Sequence, residues 1–276
     1  MTREIFAYLS RFFGQIMRVI LLMMEPFFWK IPNTFLLPCQ IPVPEIMNYD
    51  IIGDNQQMAK IELQPGEGVF AEAGSMVNMS GNMRMESQLK GGVIAGLKRA
   101  VTGESLFLTR FTPEGSAGFV SFAGTMTGKI FTVRLSPRTE FIVQKSSFLC
   151  CEESVGLDIA FTENLPAGLF GGAGFILQRL TGMGTVFLHC CGDIIEMELK
   201  KGEVIKVQTG LVVGFDNTVS YDIALAGGIT TALFGGEGLF VTTLTGPGKV
   251  VLQSMDLAKI AATILPYLPR PEPEGK

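Results

Sequence analysis

From Met47 to Met255 the chain reads as short apolar runs broken by Gly, Pro, Ser and charged turns. Alternation between apolar and polar residues is clearest in Phe141-Ile142-Val143-Gln144 and Val204-Ile205-Lys206-Val207. A period of two places successive side chains on opposite faces of a strand, so these runs predict β-structure with one buried face. Three stretches open alike: IELQPGEGVFAEAGSMVNMS from Ile61, VRLSPRTEFIVQKSSFLCC from Val133 and MELKKGEVIKVQTGLVVGF from Met197. Each has a marker leucine (Leu63, Leu135, Leu199), a polar turn, a strand, and then a small break at Gly74, Ser146 or Gly210.

The second halves match too: GESLFLTRFTPEGSAGFVSFAG from Gly103, GAGFILQRLTGMGTVFLHCCG from Gly172 and GEGLFVTTLTGPGKVVLQSM from Gly236. Strand, glycine-containing turn and strand make each of them a hairpin. Marker leucine to marker glycine is 40, 37 and 37 residues. Two half-patterns kept in one order at near-constant spacing predict a single unit used three times, near 61–132, 133–196 and 197–256. A unit with one apolar sheet face must bury it against its neighbours. The expectation is an all-β body, a three-fold repeated sandwich or prism over 47–269, with short helices at its two ends.

The ends differ in pattern. On a helix, Arg3, Arg11, Gly14, Arg18 and Glu25 share one stripe, opposite Ile5, Leu9, Phe12, Phe13, Ile16, Ile20 and Met23. The longest uncharged apolar run before Pro26 is Val19–Met24, far short of a membrane span. An interfacial helix, an extension lying outside the fold through an early start, and a cleaved targeting peptide all remain open for residues 1–46. Pro32, Pro38, Pro42 and Pro44 space the linker that follows. At the other end, Leu257, Ile260, Ala261 and Ile264 line one face of a predicted helix before Pro266. That face is expected to pack on the body or on a sister subunit, with membrane contact as the alternative. The Pro/Glu-rich residues 270–276 read as a disordered tail.

Composition narrows the function classes. Hydrophobic residues make up 47% of the 276, ample for a core, and 33 glycines without a collagen period imply many turns. Asp plus Glu number 26 against 22 Lys plus Arg, which argues against a nucleic-acid partner. Five cysteines in an odd arrangement (Cys39, Cys150-Cys151, Cys190-Cys191) read as small buried hydrophobes in a reducing compartment.

Candidate chemistry is thin. GGVIAGLKRAVTGES, from Gly91, has the glycine spacing of a phosphate loop, but Leu97 stands where lysine is required. A short helix near Val93–Val101 is the better account, with Lys98 and Arg99 exposed to water, a partner carboxylate or an anionic headgroup. His189-Cys190-Cys191 cannot converge on one ion from consecutive strand positions. His189, the sole histidine, has no nucleophile beside it that would make a triad. Glu104 and Glu237 recur at hairpin starts, where turn or intersubunit roles are commoner than acid/base work. No catalytic, metal or cofactor residue is assigned. The contact candidates toward a partner or membrane are Lys98, Arg99, Arg11 and Arg18.

MNYDIIGDNQQMAKIELQPGEGVFAEAGSMVNM, GGVIAGLKRAVTGESLFLTRF, GGAGFILQRLTGMGTV, TGLVVGFDNTVSYDI and GEGLFVTTLTGPGKVVLQ together resemble the altered-inheritance-of-mitochondria family over about Met47 to Pro269. The resemblance implies a fold like that of the tryptophan RNA-binding attenuation protein, a β-sandwich that assembles into rings, and trimers or larger homo-oligomers. It supplies no agreed catalytic residues. The function expected is a non-enzymatic oligomeric scaffold, membrane-associated and active in membrane organisation; a small-ligand module with its ligand at subunit interfaces is the alternative. The expected location is cytoplasmic or peripheral at an inner membrane, mitochondrial in a eukaryote.

Overall fold

The computed structural model describes residues 47–89, 107–163, 175–225, 240–264 and 267–268. The chain divides into two compact units, Met1–Ile46 and Met47–Lys276, and the second carries every residue described below. It is an antiparallel β-structure, as the alternation predicts. The first stretch contributes β1 (Asn48–Ile52), β2 (Met58–Leu63), β3 (Val69–Glu72), β4 (Met76–Met79), β5 (Met83–Leu89), β6 (Phe107–Pro113) and β7 (Gly118–Ala123). The second gives β8 (Gly128–Leu135), β9 (Phe141–Gln144), β10 (Phe148–Glu152), β11 (Val155–Glu163), β12 (Phe175–Gly182) and β13 (Gly184–Cys191). The third gives β14 (Ile194–Leu199), β15 (Val204–Gln208), β16 (Val212–Asp216), β17 (Ser220–Leu225), β18 (Phe240–Thr245) and β19 (Gly248–Gln253), followed by helix α1 (Leu257–Ile264).

One pairing scheme runs through all three stretches. The last strand of each lies between two others: β7 between β2 and β4, β13 between β8 and β10, β19 between β14 and β16. The strand after the polar turn pairs with the first hairpin arm, which also takes the strand before it. These trios are β3-β6-β5, β9-β12-β11 and β15-β18-β17. Even the irregularity recurs: β4, β10 and β16 each carry a one-residue bulge, at Val77, Leu149 and Val213. An extra residue on one strand bends it and raises the local twist. Counterparts can therefore be read position by position. Glu72, Gln144 and Gln208 correspond, as do Ala123, His189 and Gln253.

Neighbouring stretches are sewn together by backbone pairing. Strand β3 pairs with β10, placing Ala71 opposite Cys150 and Phe70 opposite Cys151. Strand β9 pairs with β16, placing Val143 opposite Gly214 and Ile142 opposite Phe215. Each joint yields a six-stranded sheet. By the same scheme β15 would pair with β4, yet both are sheet edges: β15 bonds to β18 alone and β4 to β7 alone. The joints are therefore two, with one seam left open among the described residues.

The core sits where the sheets face one another. One cluster draws Phe70 and Leu108, Phe141 and Val186, and Val213 and Val251 from the three stretches in turn. Two satellite clusters flank it, around Phe111, Phe122 and Phe187, and around Phe175, Phe215 and Leu244. Strand β13 runs through the middle, with Val186, Phe187, Leu188 and Cys190 all fully buried, so it has core on both faces. Cys150 and Cys151 are also buried, and the four described cysteines are free thiols, as expected for small hydrophobes. The predicted C-terminal helix forms, but Leu257 and Ile264 on its apolar face stay about half exposed. No helix among the described residues is long and apolar enough to cross a membrane.

Candidate functional site

At the end of each strand that follows the polar turn, the chain folds over a tight corner before the bulged strand. The corners are the Ala73–Gly74 turn and the 3₁₀ turns Lys145–Ser147 and Thr209–Leu211. All three corners border one pocket of about 740 Å³, through Glu72 to Ser75, Gln144 to Leu149, and Gly210. The corresponding residues Ala123, His189 and Gln253, at the ends of β7, β13 and β19, line it as well. The turn Gly124–Met126 and, from the chain's end, Asp256, Leu257 and Ala261 complete the wall. A cavity of this size, mostly apolar with a few polar groups, is the usual form of a small-molecule site.

The three corners are not chemically alike. At the third, the polar groups are satisfied by the chain itself. Gln208 Nε2 donates to Asp256 Oδ2 at 2.5 Å, and Gln253 Nε2 donates to the Gly210 carbonyl at 2.8 Å. Gln253 Oε1 accepts from the Cys191 amide at 2.9 Å, which ties the second stretch to the third. At the second corner Gln144 Oε1 is buried without a hydrogen-bond partner. At the first, Glu72 holds the position in place of glutamine, and burial pushes its carboxyl above the usual carboxylate range, with Lys145 pulling the other way. An unpartnered buried acceptor costs on the order of 1–3 kcal/mol, so such a group marks a place where something else belongs.

His189 is buried at 6% exposure in the pocket wall. Burial lowers its pKa, and a hydrogen bond to the Met126 backbone opposes that shift. Gly124 makes room for it: a Cβ there would fall 2.3–2.4 Å from the imidazole ring. Proton transfer from His189 would need a reacting group beside it, and Cys190 and Cys191 have thiols held above their ordinary pKa by burial, which keeps them protonated and unreactive. Among the described residues no three His, Cys, Asp or Glu side chains converge to hold a metal.

The contact residues expected from the sequence, Lys98, Arg99, Arg11 and Arg18, lie outside the described residues, as do the predicted 93–101 helix, Glu104 and Glu237. Sequence reasoning took His189 for core and passed over Glu72 and Gln144. A signal for all three existed, since polar residues at matching positions of repeated stretches point to a shared surface.

The profile of the family described as mitochondrial biogenesis AIM24 matches residues 49–255. An uncharacterised protein of Streptococcus pyogenes serotype M6, M6_Spy0233, is 29% identical over 220 residues, covering 77% of this chain and 87% of its own. The crystal structure of SPYM3_0169, also from Streptococcus pyogenes, superposes with a TM-score of 0.67 at 27% identity, over 80% of this chain and all of that one. The profile spans every described strand but a single residue at the start of β1. The chain belongs to the mitochondrial biogenesis AIM24 family.

Proposed function

We propose that the protein is a non-enzymatic β-scaffold that assembles with copies of itself by pairing β15 of one copy with β4 of the next. The open seam carries this reading. Where a joint exists, the bulge residue is buried: Leu149 is 2% exposed and Val213 is 0%. Where the joint is missing, its counterpart Val77 is 52% exposed, and Val204 on the other free edge is 53% exposed. Two short unpaired edges with exposed valines are a template for strand addition.

The register follows from the two joints that exist. Cys150 opposite Ala71 and Gly214 opposite Val143 translate to Asn78 opposite Val207, and Met79 then stands opposite Lys206. Such a contact joins two different surfaces, so it closes into a ring or runs on as a fibre. Rings agree with the trimers or larger assemblies expected from the sequence. Contact with an anionic membrane surface through Arg11, Arg18, Lys98 and Arg99 belongs to the same proposal, with a cytoplasmic or inner-membrane-peripheral setting.

A double variant, Met79→Cys with Lys206→Cys, tests the seam under mild oxidation. Covalent multimers are the expected product, alongside a light-scattering mass that is a multiple of the chain. A stable monomer at micromolar concentration, or a cross-link confined within single chains, would overturn the reading. Flotation of the full chain with anionic vesicles, compared with a chain starting at Met47, tests the membrane contact; equal behaviour removes any part for Arg11 and Arg18.

A further inference from the structure

The pocket bordered by the three corners has a filled side and an unfilled one. At the third corner the amide N–H of Gln208 meets the Asp256 carboxylate. The second corner presents an acceptor without a donor, and the first presents a carboxyl in place of the glutamine. Gln144 Oε1 is buried and unpartnered. The Glu72 carboxyl is held above its usual range by burial, with the Lys145 ammonium opposing the shift, and the Glu72 backbone carbonyl accepts from Ser75 Oγ at 2.7 Å. What Gln144 Oε1 lacks is a donor.

Charge points the same way. Among the described wall residues Glu72 and Asp256 are carboxylates, the latter already accepting from Gln208, and Lys145 is an ammonium, while His189 is held toward its neutral form. An anion entering here would desolvate itself beside two carboxylates. A cation would find net attraction and a carboxylate that gains by staying ionised. The rest of the wall is apolar, through Phe148, Ile176 and Leu257. We infer that the pocket binds a small organic ammonium ion with an apolar body, its N–H groups donating to Gln144 Oε1 and the Glu72 carboxylate and its carbon skeleton lying against Phe148, Ile176 and Leu257.

This site lies within one chain. It therefore differs from the ligand position between subunits that the sequence resemblance implies, and it stands or falls apart from the β15–β4 seam. His189 serves there as a positioning residue that closes the wall beside Gly124.

Titration calorimetry of the full chain with 2-phenylethylamine, 2-phenylethanol and 3-phenylpropanoate provides the test, because the three probes share a body and differ in the head. The amine is expected to bind saturably, and at least about tenfold more tightly than the alcohol or the carboxylate. Glu72→Gln and Gln144→Leu are each expected to weaken the amine about tenfold. Both should leave the melting temperature at or above that of the parent, since one removes a carboxyl that is costly to bury and the other an acceptor without a donor. Ala261→Trp, which fills the pocket from the helix side, should abolish binding. The inference is overturned by an amine that fails to saturate, by a carboxylate that binds as well as the amine, or by affinity that Glu72→Gln, Gln144→Leu and Ala261→Trp leave unchanged.

Discussion

The two closed seams and the open one are built from corresponding strands, yet they differ in what lies against them. In the closed seams the bulged strand is covered on its outer edge, and Leu149 and Val213 vanish into the core. In the open seam the same bulge leaves Val77 in solvent. Side chains across the seams differ as well. Arg110 on β6 clasps the carboxylate of Glu153 beyond β10 through two nitrogens, the second bond being 3.1 Å long. The counterparts at the open seam are Thr243 and Gly81, which carry no charge. At the second joint Gly214 lets Phe141 and Ile142 come close, whereas Asn78 is its counterpart on the free edge. The lesson is that burial of a residue type is decided by whether its strand has a neighbour. The copy-to-copy seam we propose would form without such a clamp.

The largest test of this contrast is truncation at the bulge. Leu149→Ala should cost about 2–5 kcal/mol in urea unfolding, the range for emptying a packed core site. Val77→Ala in dilute protein should stay within about 0.5 kcal/mol of the parent. Equal losses would mean that Val77 is covered within its own chain and that no open seam exists.

Gly214→Ala comes next. Its Cβ would stand 2.5 Å from Phe141 Cε1 and 2.6 Å from the Ile142 carbonyl oxygen, so the β9–β16 joint must spread. A loss of about 1–3 kcal/mol is expected from such overpacking. Asn78→Ala, at the matching free position, should be near neutral in the same assay.

Breaking the clamp is smaller. The Arg110 and Glu153 side chains are each about one-third exposed, so solvent screens the pair. Glu153→Gln should cost about 1 kcal/mol or less, shrinking further in high salt. A loss that is indifferent to salt would show that Glu153 acts through packing.

The pocket walls extend the comparison to pH. Burial holds the folded His189 below its ordinary pKa of 6.5, so on acidification the unfolded chain takes up the proton first. The stability His189 contributes is therefore full above about pH 6.5 and lost as pH falls below it. Glu72 has the opposite sign: its raised pKa means the folded state holds its proton longer, and stability declines as pH rises above 4.5 through the folded value. His189→Gln, which installs the residue found at Gln253, should flatten unfolding midpoints between about pH 7.5 and pH 5.5. An unchanged slope would place the acid sensitivity elsewhere.

Strand content and turn positions were legible in the sequence because both are local. Alternation gives the strands, and the breaks at Gly74, Ser146 and Gly210 fall at the three corners. Which strand edges meet was not legible, since β4, β10 and β16 read alike and are told apart only by their neighbours. The pocket was hidden for a related reason. Gln144 and Gln208 are the same residue at matching positions, but it is Gln208 that donates to Asp256, which arrives from beyond the last strand. The His189-Cys190-Cys191 run was read as core, while the imidazole's place in the pocket wall depended on Gly124 and Met126 from another stretch. For Arg11, Arg18, Lys98 and Arg99, which lie outside the described residues, the sequence remains the whole account.

The seam scheme has a thermodynamic corollary. Three units in one chain have two joints, whereas three units in a closed ring of copies have three. Every copy that enters such a ring therefore gains a joint that its own covalent chain does not supply. Folding and association then draw on the same contact, and by mass action the unfolding midpoint should climb with protein concentration until the ring is saturated. On the proposed pairing, a scarce chain would be looser and expose two strand edges, and a plentiful one would hide them.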